Sequence, residues 1–284
     1  MTIPLVHTVR FLREEETRGH HPVRYACSDG GIYYCKYRMD TGDETELDFL
    51  WYELVGHVLL RQLGLPTPDV AFVQVDEGSF IPHLAPNNAA HMRPGVIAFG
   101  SKHMPGDPVN AFWRYPTKPS FKRLVDAEQL IDIALFDLWV ANTDRGKPLW
   151  DEPGFNFNLL RAPVGVRHRL VTIDHAFILG GELFLRTFNP ADHPPRVDGK
   201  LFRTPMFLDV MGHLGAPVRN QNMERCLTSL RRTKPDELRR TLEAARAHWP
   251  YPPAFADRVI DFLWDPARLN LLDHTVRSFF NQLP

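Results

Sequence analysis

The chain has 284 residues, 44% of them hydrophobic and 24% charged, and a formal net charge of −1 at pH 7. That composition suits a globular protein with a core large enough to need no disulfides, and the near-zero charge excludes whole-surface attraction to nucleic acid or to an anionic membrane. Three scattered cysteines, no basic-then-apolar leader and no apolar run of about 20 residues point to a reduced, cytoplasmic chain rather than a secreted or membrane-spanning one.

Residues 5–12, 23–27 and 32–37 are rich in β-formers and read as three strands. Between the last two, Ser28-Asp29-Gly30-Gly31 is a hairpin turn signal. A helix follows over 47–59. Leu47, Leu50, Trp51, Leu54, Val55, Val58 and Leu59 form one apolar stripe, and Gly64, Pro66 and Pro68 close it off. Glu53 falls away from that stripe on a helical wheel. Residues 70–75 are a strand, 82–95 a loop and 96–99 a short strand.

Beyond this the chain turns helical. Residues 127–141 are apolar nearly all round, the pattern of a buried helix. A polar loop covers 142–156, two strands follow at 157–161 and 169–173, and helical segments run from about residue 201. The order predicts an α+β protein: a strand-rich lobe with one main helix over 1–99, then a helical lobe over 100–284. Two such lobes leave a crevice between them, where ligand sites commonly lie. The basic runs Arg231-Arg232 and Arg239-Arg240 sit among helix formers and read as solvated helix faces.

The residues able to do chemistry cluster after the buried helix. Asn142-Thr143-Asp144-Arg145 is followed by Asn156-Phe157-Asn158-Leu159-Leu160 and then by Ile173-Asp174-His175. An aspartate facing a crevice can accept a proton from an attacking hydroxyl. An asparagine and an aspartate near paired strands can offer hard oxygens to magnesium, which prefers a few such ligands plus phosphates. Phosphoryl transfer asks little more of a protein than positioning and charge neutralisation. Taken singly, each of these residues also fits a turn cap or a loop hydrogen-bonder; it is their combination and order that point to a site.

In that order and spacing the chain resembles the HipA-like kinases, a bacterial branch of the protein-kinase-like superfamily. Besides Trp139 to Arg145, Asn156 to Leu160 and Ile173 to His175, the resemblance runs through Gly31-Ile32-Tyr33-Tyr34-Cys35-Lys36-Tyr37 and through the segment from Leu60 to Pro68, so that it spans roughly residues 24–178. It implies a protein-kinase-like two-lobed fold and an ATP- and Mg²⁺-dependent kinase acting on a hydroxyl, most simply a protein Ser or Thr, the chain's own included. Asp144 would be the catalytic base, and Asn156 and Asp174 the metal ligands. Lys36 would bind the nucleotide phosphates, with Ser28 and Gly30 in a turn that covers them through backbone N–H groups. Phe99 and Ser101 would belong to a hinge, 97–102, that receives adenine through its backbone. Ser28 is also a candidate for self-modification. A small DNA-binding, antitoxin-like protein is the partner such relatives suggest; direct contact with nucleic acid or membrane is not expected.

The chain departs from the family pattern in its catalytic loop. Many members carry Asp-x-His-x-x-Asn, whereas here Asp144-Arg145-Gly146 leads into an insertion, 147–155, before the asparagine. Arg145 or Lys147 could stand in for the histidine. Asn156 matches through the Phe157 after it and Asn158 through the two leucines after it; Asn156 is preferred. Other readings stay open: a small-molecule or lipid acceptor, nucleotidyl transfer, a non-catalytic pseudokinase module, and a metal-dependent hydrolase built on Asp144, Asp174 and His175.

Overall fold

The computed structural model of the protein describes every residue except 17–20, 38–45, 89–91, 151–152, 182–192, 199 and 251–253, and it leaves out the side chains of 46–48. The Leu47 side chain, His20, the middle of the 82–95 loop and Asp151 and Glu152 of the insertion therefore lie outside the described residues.

The first strands follow the alternation expected of them. β1 (Leu5–Glu14), β2 (Val23–Cys27), β3 (Ile32–Lys36), β4 (Val70–Gln74) and β5 (Ile97–Lys102) close into a barrel in the order β1-β2-β3-β5-β4, the seam being a parallel pairing of β1 with β4. Strand side chains alternate between faces. Val23, Tyr25, Tyr33 and Cys35 fill the barrel interior, while Arg24, Tyr34 and Lys36 point outward. β5 extends from 97 to 102, across the lobe junction expected at residue 99, and it is hydrogen-bonded to β3 on one side and β4 on the other.

One main helix crosses between β3 and β4: α1 (Glu46–Gln62). Its burial is not a stripe. From Leu50 to Leu60 every side chain except glycine is 3% exposed or less, Glu53 and His57 included. The barrel lies on one side of α1 and the helical part of the chain on the other, through contacts such as Trp51 with Trp249 and Phe255. Off the apolar stripe, Glu53 would lie on a wet face of an amphipathic helix; from Leu50 to Leu60 α1 has no such face.

His57 pays for that burial in acid. Its imidazole is pushed down to about 4 by burial, with Arg61 adding to the effect. Above pH 6.5 it is neutral folded or unfolded. Below that, the unfolded chain takes up a proton that the folded one refuses, so stability falls as pH drops from 6.5 toward 4. At 1.4 kcal/mol per pH unit the loss is about 3 kcal/mol. Urea midpoints measured from pH 7 to pH 4 should show it for the natural protein, and His57→Leu should remove that part of the slope.

After the barrel come β6 (Asp107–Pro108), β7 (Leu159–Val164) and β8 (Arg167–Thr172), an antiparallel sheet in the order β6-β7-β8. The helices are α2 (Lys118–Phe121), α3 (Gln129–Trp139), α4 (Pro205–His213), α5 (Ala216–Arg232), α6 (Pro235–Ala245), α7 (Phe255–Leu263) and α8 (Pro266–Asn281). β7 and β8 begin or end two or three residues away from the expected spans. Left-handed backbone at Asn158 (φ 43°) and Asp174 (φ 56°) bounds the pair at one end, and at the other the hairpin stays paired up to Val164 and Arg167. α3 is the expected buried helix: from Leu130 to Trp139 every side chain except Asp132 is at most 2% exposed, the second acid, Asp137, included. Arg231 and Arg239 are exposed and paired to Asp273 and Asp257, as solvated helix faces would be.

No helix among the described residues is long and apolar enough to cross a membrane.

Candidate active site

The site is assembled at the C-terminal end of α3. Arg268 of α8 donates to the carbonyls of Leu138 and Trp139 at 3.1 and 2.8 Å, satisfying oxygens that a helix end leaves without partners. Ala141 then turns the chain through φ 51°, and Asn142 begins the loop. The Asn142 Oδ1 accepts the backbone N–H of Asp144 at 2.9 Å, so the asparagine holds the aspartate in its turn.

Arg145 does not face the crevice. Its side chain is fully buried, pairs with Asp137 and donates to Phe157 O at 3.1 Å and Ile173 O at 3.0 Å. One guanidinium thus ties α3, the loop, the asparagine segment and the residue before Asp174 together. It cannot substitute for the missing histidine at a nucleotide. Lys147, the other candidate, lies over the exposed Trp150 ring at 5.1 Å.

Asp144 Oδ2 accepts from both Asn156 Nδ2 and Asn158 Nδ2, each at 2.7 Å. A carboxylate only accepts, so both amides must turn their nitrogens to it. The carbonyl oxygen of each asparagine is then left for another partner. The two candidates for the asparagine role are therefore joined at one carboxylate, and no hydrogen bond separates them.

From the barrel side, Lys36 Nζ donates to Asp174 Oδ1 at 2.8 Å and, closely, to Glu53 Oε1. Glu53 Oε2 also accepts the backbone N–H of His175 at 2.9 Å. Glu53, off the apolar stripe on a helical wheel, nevertheless pairs with the lysine, because α1 is buried on the Glu53 side by the Asp174–His175 segment. Gly56 permits the approach: a Cβ there would lie 2.6 Å from the His175 Cβ. Burial alone would lower the Lys36 ammonium, but Asp174 and Glu53 outweigh it and hold it well above the ordinary lysine range. Burial also raises Glu53, to about 7, against the pull of Lys36.

Lys36, Glu53 and Asp174 thus meet in one cluster, and Asp144, Asn156 and Asn158 in another, with Arg145 spanning from the loop to Ile173 beside Asp174. Ser28 and Gly30 are not brought to them. Lys36 ends β3 while the 28–31 turn begins it, about 13 Å away at 3.3 Å per residue. The turn is also hydrogen-bonded within itself and its neighbours. Ser28 N donates to His7 O, Gly30 N to Cys27 O and Gly31 N to the Asp29 carboxylate. The expectation that these amides point at phosphates is corrected on both counts. The connection at the Lys36 end of the hairpin is the one between β1 and β2, residues 15–22, of which 17–20 lie outside the described residues.

Phe99 and Ser101 need a correction of the same kind. They lie inside β5, opposite Lys36 and Tyr34, and their backbone positions are paired on both sides. The chain leaves the sheet only after His103, whose N–H still donates to Ile32 O. What Ser101 retains is its place on the outward face with Tyr34 and Lys36.

The donor set suits magnesium by its chemistry: a carboxylate on Asp174 and carboxamide oxygens on Asn156 and Asn158, all hard ligands and too few to hold an ion without phosphates. His175 is buried beside Gly56 and kept neutral by that burial, and among the described residues no cluster of three or more His, Cys, Asp or Glu could hold a metal alone.

A model of the HipA-like kinase family matches residues 9–187. No curated protein sequence matches the chain. Among solved structures, the Helicobacter pylori proinflammatory kinase CtkA aligns over 99% of this chain and 100% of its own, with 11% identity and a TM-score of 0.55. At that identity the likeness is one of fold, and the fold is protein-kinase-like. Lower TM-scores relate the chain to the Golgi casein kinase with Mn/ADP bound (0.45, 13% identity, 98% of this chain and 73% of that one). The same holds for the Shewanella oneidensis MR-1 toxin–antitoxin complex of HipA, HipB and operator DNA (0.40, 10% identity, 88% and 60%).

Proposed function

Because the chain belongs to the HipA-like kinase family, we propose that it transfers the γ-phosphoryl group of ATP, with magnesium, to a Ser or Thr hydroxyl of a protein. The observation that supports this best is the Lys36–Glu53–Asp174 contact, which draws together a strand of the barrel, its one main helix and the segment that follows β8. Three sites so far apart in sequence meet around one ammonium, as a triphosphate–metal site requires.

In this reading Asp144 takes the acceptor's proton. Asp174 holds the metal together with Asn156 or Asn158. Lys36, poised between two carboxylates, exchanges its bond to Asp174 for phosphate oxygens when nucleotide enters, while Glu53 keeps it oriented. Magnesium, when bound, would neutralise phosphate charge. Tyr34 and Ser101, on the outward face with Lys36, would lie along the nucleotide. A small DNA-binding partner is an expectation of the family alone.

Labelled ATP tests the proposal. Incubation with magnesium should move label from the γ-position into protein and none from the α-position, which separates phosphoryl from nucleotidyl transfer. Peptide mapping identifies the acceptor. Ser28 is exposed in the turn that precedes β3, and Lys36 lies at the far end of that strand, about 13 Å along it. Label at Ser28 should therefore appear at a rate that rises with protein concentration, one copy acting on another. Labelling from the α-position, or none at all with protein acceptors, sinks the reading.

A further inference from the structure

Phosphoryl transfer spreads negative charge over the oxygens of the moving group. Lys36 and the Asp174 side answer it from the nucleotide. On the acceptor side the loop has little to offer. Asp144 is an anion, Arg145 is buried and committed to Asp137, and residue 146 is a glycine.

That glycine is required by what packs on it. A Cβ at Gly146, whose φ is +84°, would lie 2.3 Å from Leu201 N and 2.5 Å from Lys200 C. The space a side chain would occupy two residues after Asp144 is filled by the backbone of 200–201. The same segment carries a cation back to the loop: Lys200 Nζ donates to the carbonyl oxygen of Asn142, the residue whose side chain holds the Asp144 N–H. Among the described residues no carboxylate lies within ion-pair distance of this ammonium. The carbonyl engages one of its three donors. Burial pushes Lys200 below the ordinary lysine range, and Asp137 and Asp144 pull it back up. Beside it opens a cleft of about 200 Å³, lined among others by Leu138, Thr143, Pro194, Arg196 and Asp198.

Resting on the phosphotransfer reading above, we propose that Lys200 is a catalytic residue: it supplies the positive charge on the acceptor side of the transferring phosphoryl group that the loop lacks at position 146. The acceptor oxygen attacks the γ-phosphorus and its proton passes to the Asp144 carboxylate. The bond from that phosphorus to the β–γ bridging oxygen breaks, and ADP departs with the electron pair. Lys200 keeps its protons throughout and offers its two remaining N–H groups to the oxygens in flight.

Three variants of the full chain test this, read as γ-label transferred to protein and as inorganic phosphate released to water. Lys200→Met should lower kcat by about 10²–10³-fold, the effect of removing one transition-state donor, with KM for ATP changed less than about threefold. Lys200→Gln keeps a donor for the Asn142 carbonyl but no charge and should fall as far. Lys200→Arg keeps the charge and should recover at least about tenfold over the methionine variant. Full activity in Lys200→Gln would mean the lysine only pins the loop and would overturn the proposal, as would a Lys200→Met enzyme within about threefold of the natural one. If Lys200→Met does not fold, the Gln and Arg variants decide on the same terms. A natural protein that transfers no γ-label to protein or water, by contrast, defeats the phosphotransfer reading itself.

Discussion

Asp144→Asn is expected to lower phosphoryl transfer by about 10²–10⁴-fold, the range that general-base catalysis contributes, while leaving ATP binding nearly intact. The geometry makes the substitution a clean one. Asp144 Oδ2 accepts two amide bonds at 2.7 Å, and Asp144 N is held by Asn142. An asparagine keeps one acceptor oxygen for those amides and the same backbone turn, but it has no basic oxygen for the hydroxyl proton. Nucleotide affinity by calorimetry and γ-label transfer, measured on the same sample, give the comparison. A non-catalytic module would show no difference in turnover. Equal activity in the variant would remove Asp144 from its proposed role.

The largest loss of stability is expected from Asp137→Ala. Asp137 and Arg145 are both at 0% exposure, and Asp137 also accepts from Asn142 Nδ2 at 2.9 Å. Removing one member of such a pair leaves a charge in a medium that solvates it poorly, at a cost of about 3–5 kcal/mol. With an unfolding slope at the upper end of the usual range, that is about 1–2 M in the urea midpoint. The double variant Asp137→Leu/Arg145→Met should regain most of the stability, since a well-packed apolar pair is often no worse than a buried ion pair. It should not regain turnover, because the carbonyls of Phe157 and Ile173, next to Asn158 and Asp174, lose their shared donor. A single variant that unfolds within about 1 kcal/mol of the natural protein would show that the pair is worth little.

The fold was legible where alternation and periodicity were strong. The barrel strands, α1, α3 and the late helices follow from side-chain spacing. The short α2 and β6 carry no such periodicity and were not expected. Asp144 and Asp174 could be singled out because each follows an apolar element that had to be buried, whereas Lys36 was singled out only through the family resemblance. Glu53 was legible only with its neighbours in view. A wheel assigns one wet face, whereas α1 is enclosed on all sides and the acid meets an ammonium from another strand. Asp137 did carry a signal: a carboxylate set among the buried residues Ile133 to Trp139 needs a partner, and the arginine eight residues on supplies it. Ser28 and Gly30 failed on register. A Gly-Gly turn looks the same at either end of a hairpin, and only strand pairing tells which end holds the lysine. Lys200 lies 56 residues beyond Asp144 with no motif around it, so nothing short of the tertiary contact could connect the two.

The ring formed by β1, β2, β3, β5 and β4 has a consequence for the protein's behaviour in company. An open sheet exposes a row of unsatisfied amides and carbonyls along its outermost strands, a template on which a neighbouring chain can add a strand. Here the parallel pairing of β1 with β4, from Leu5–Phe72 to His7–Gln74, uses up that row. Along that seam, among the described residues, the barrel offers no open strand edge to a neighbouring copy, while its interior is filled with valine, tyrosine and cysteine.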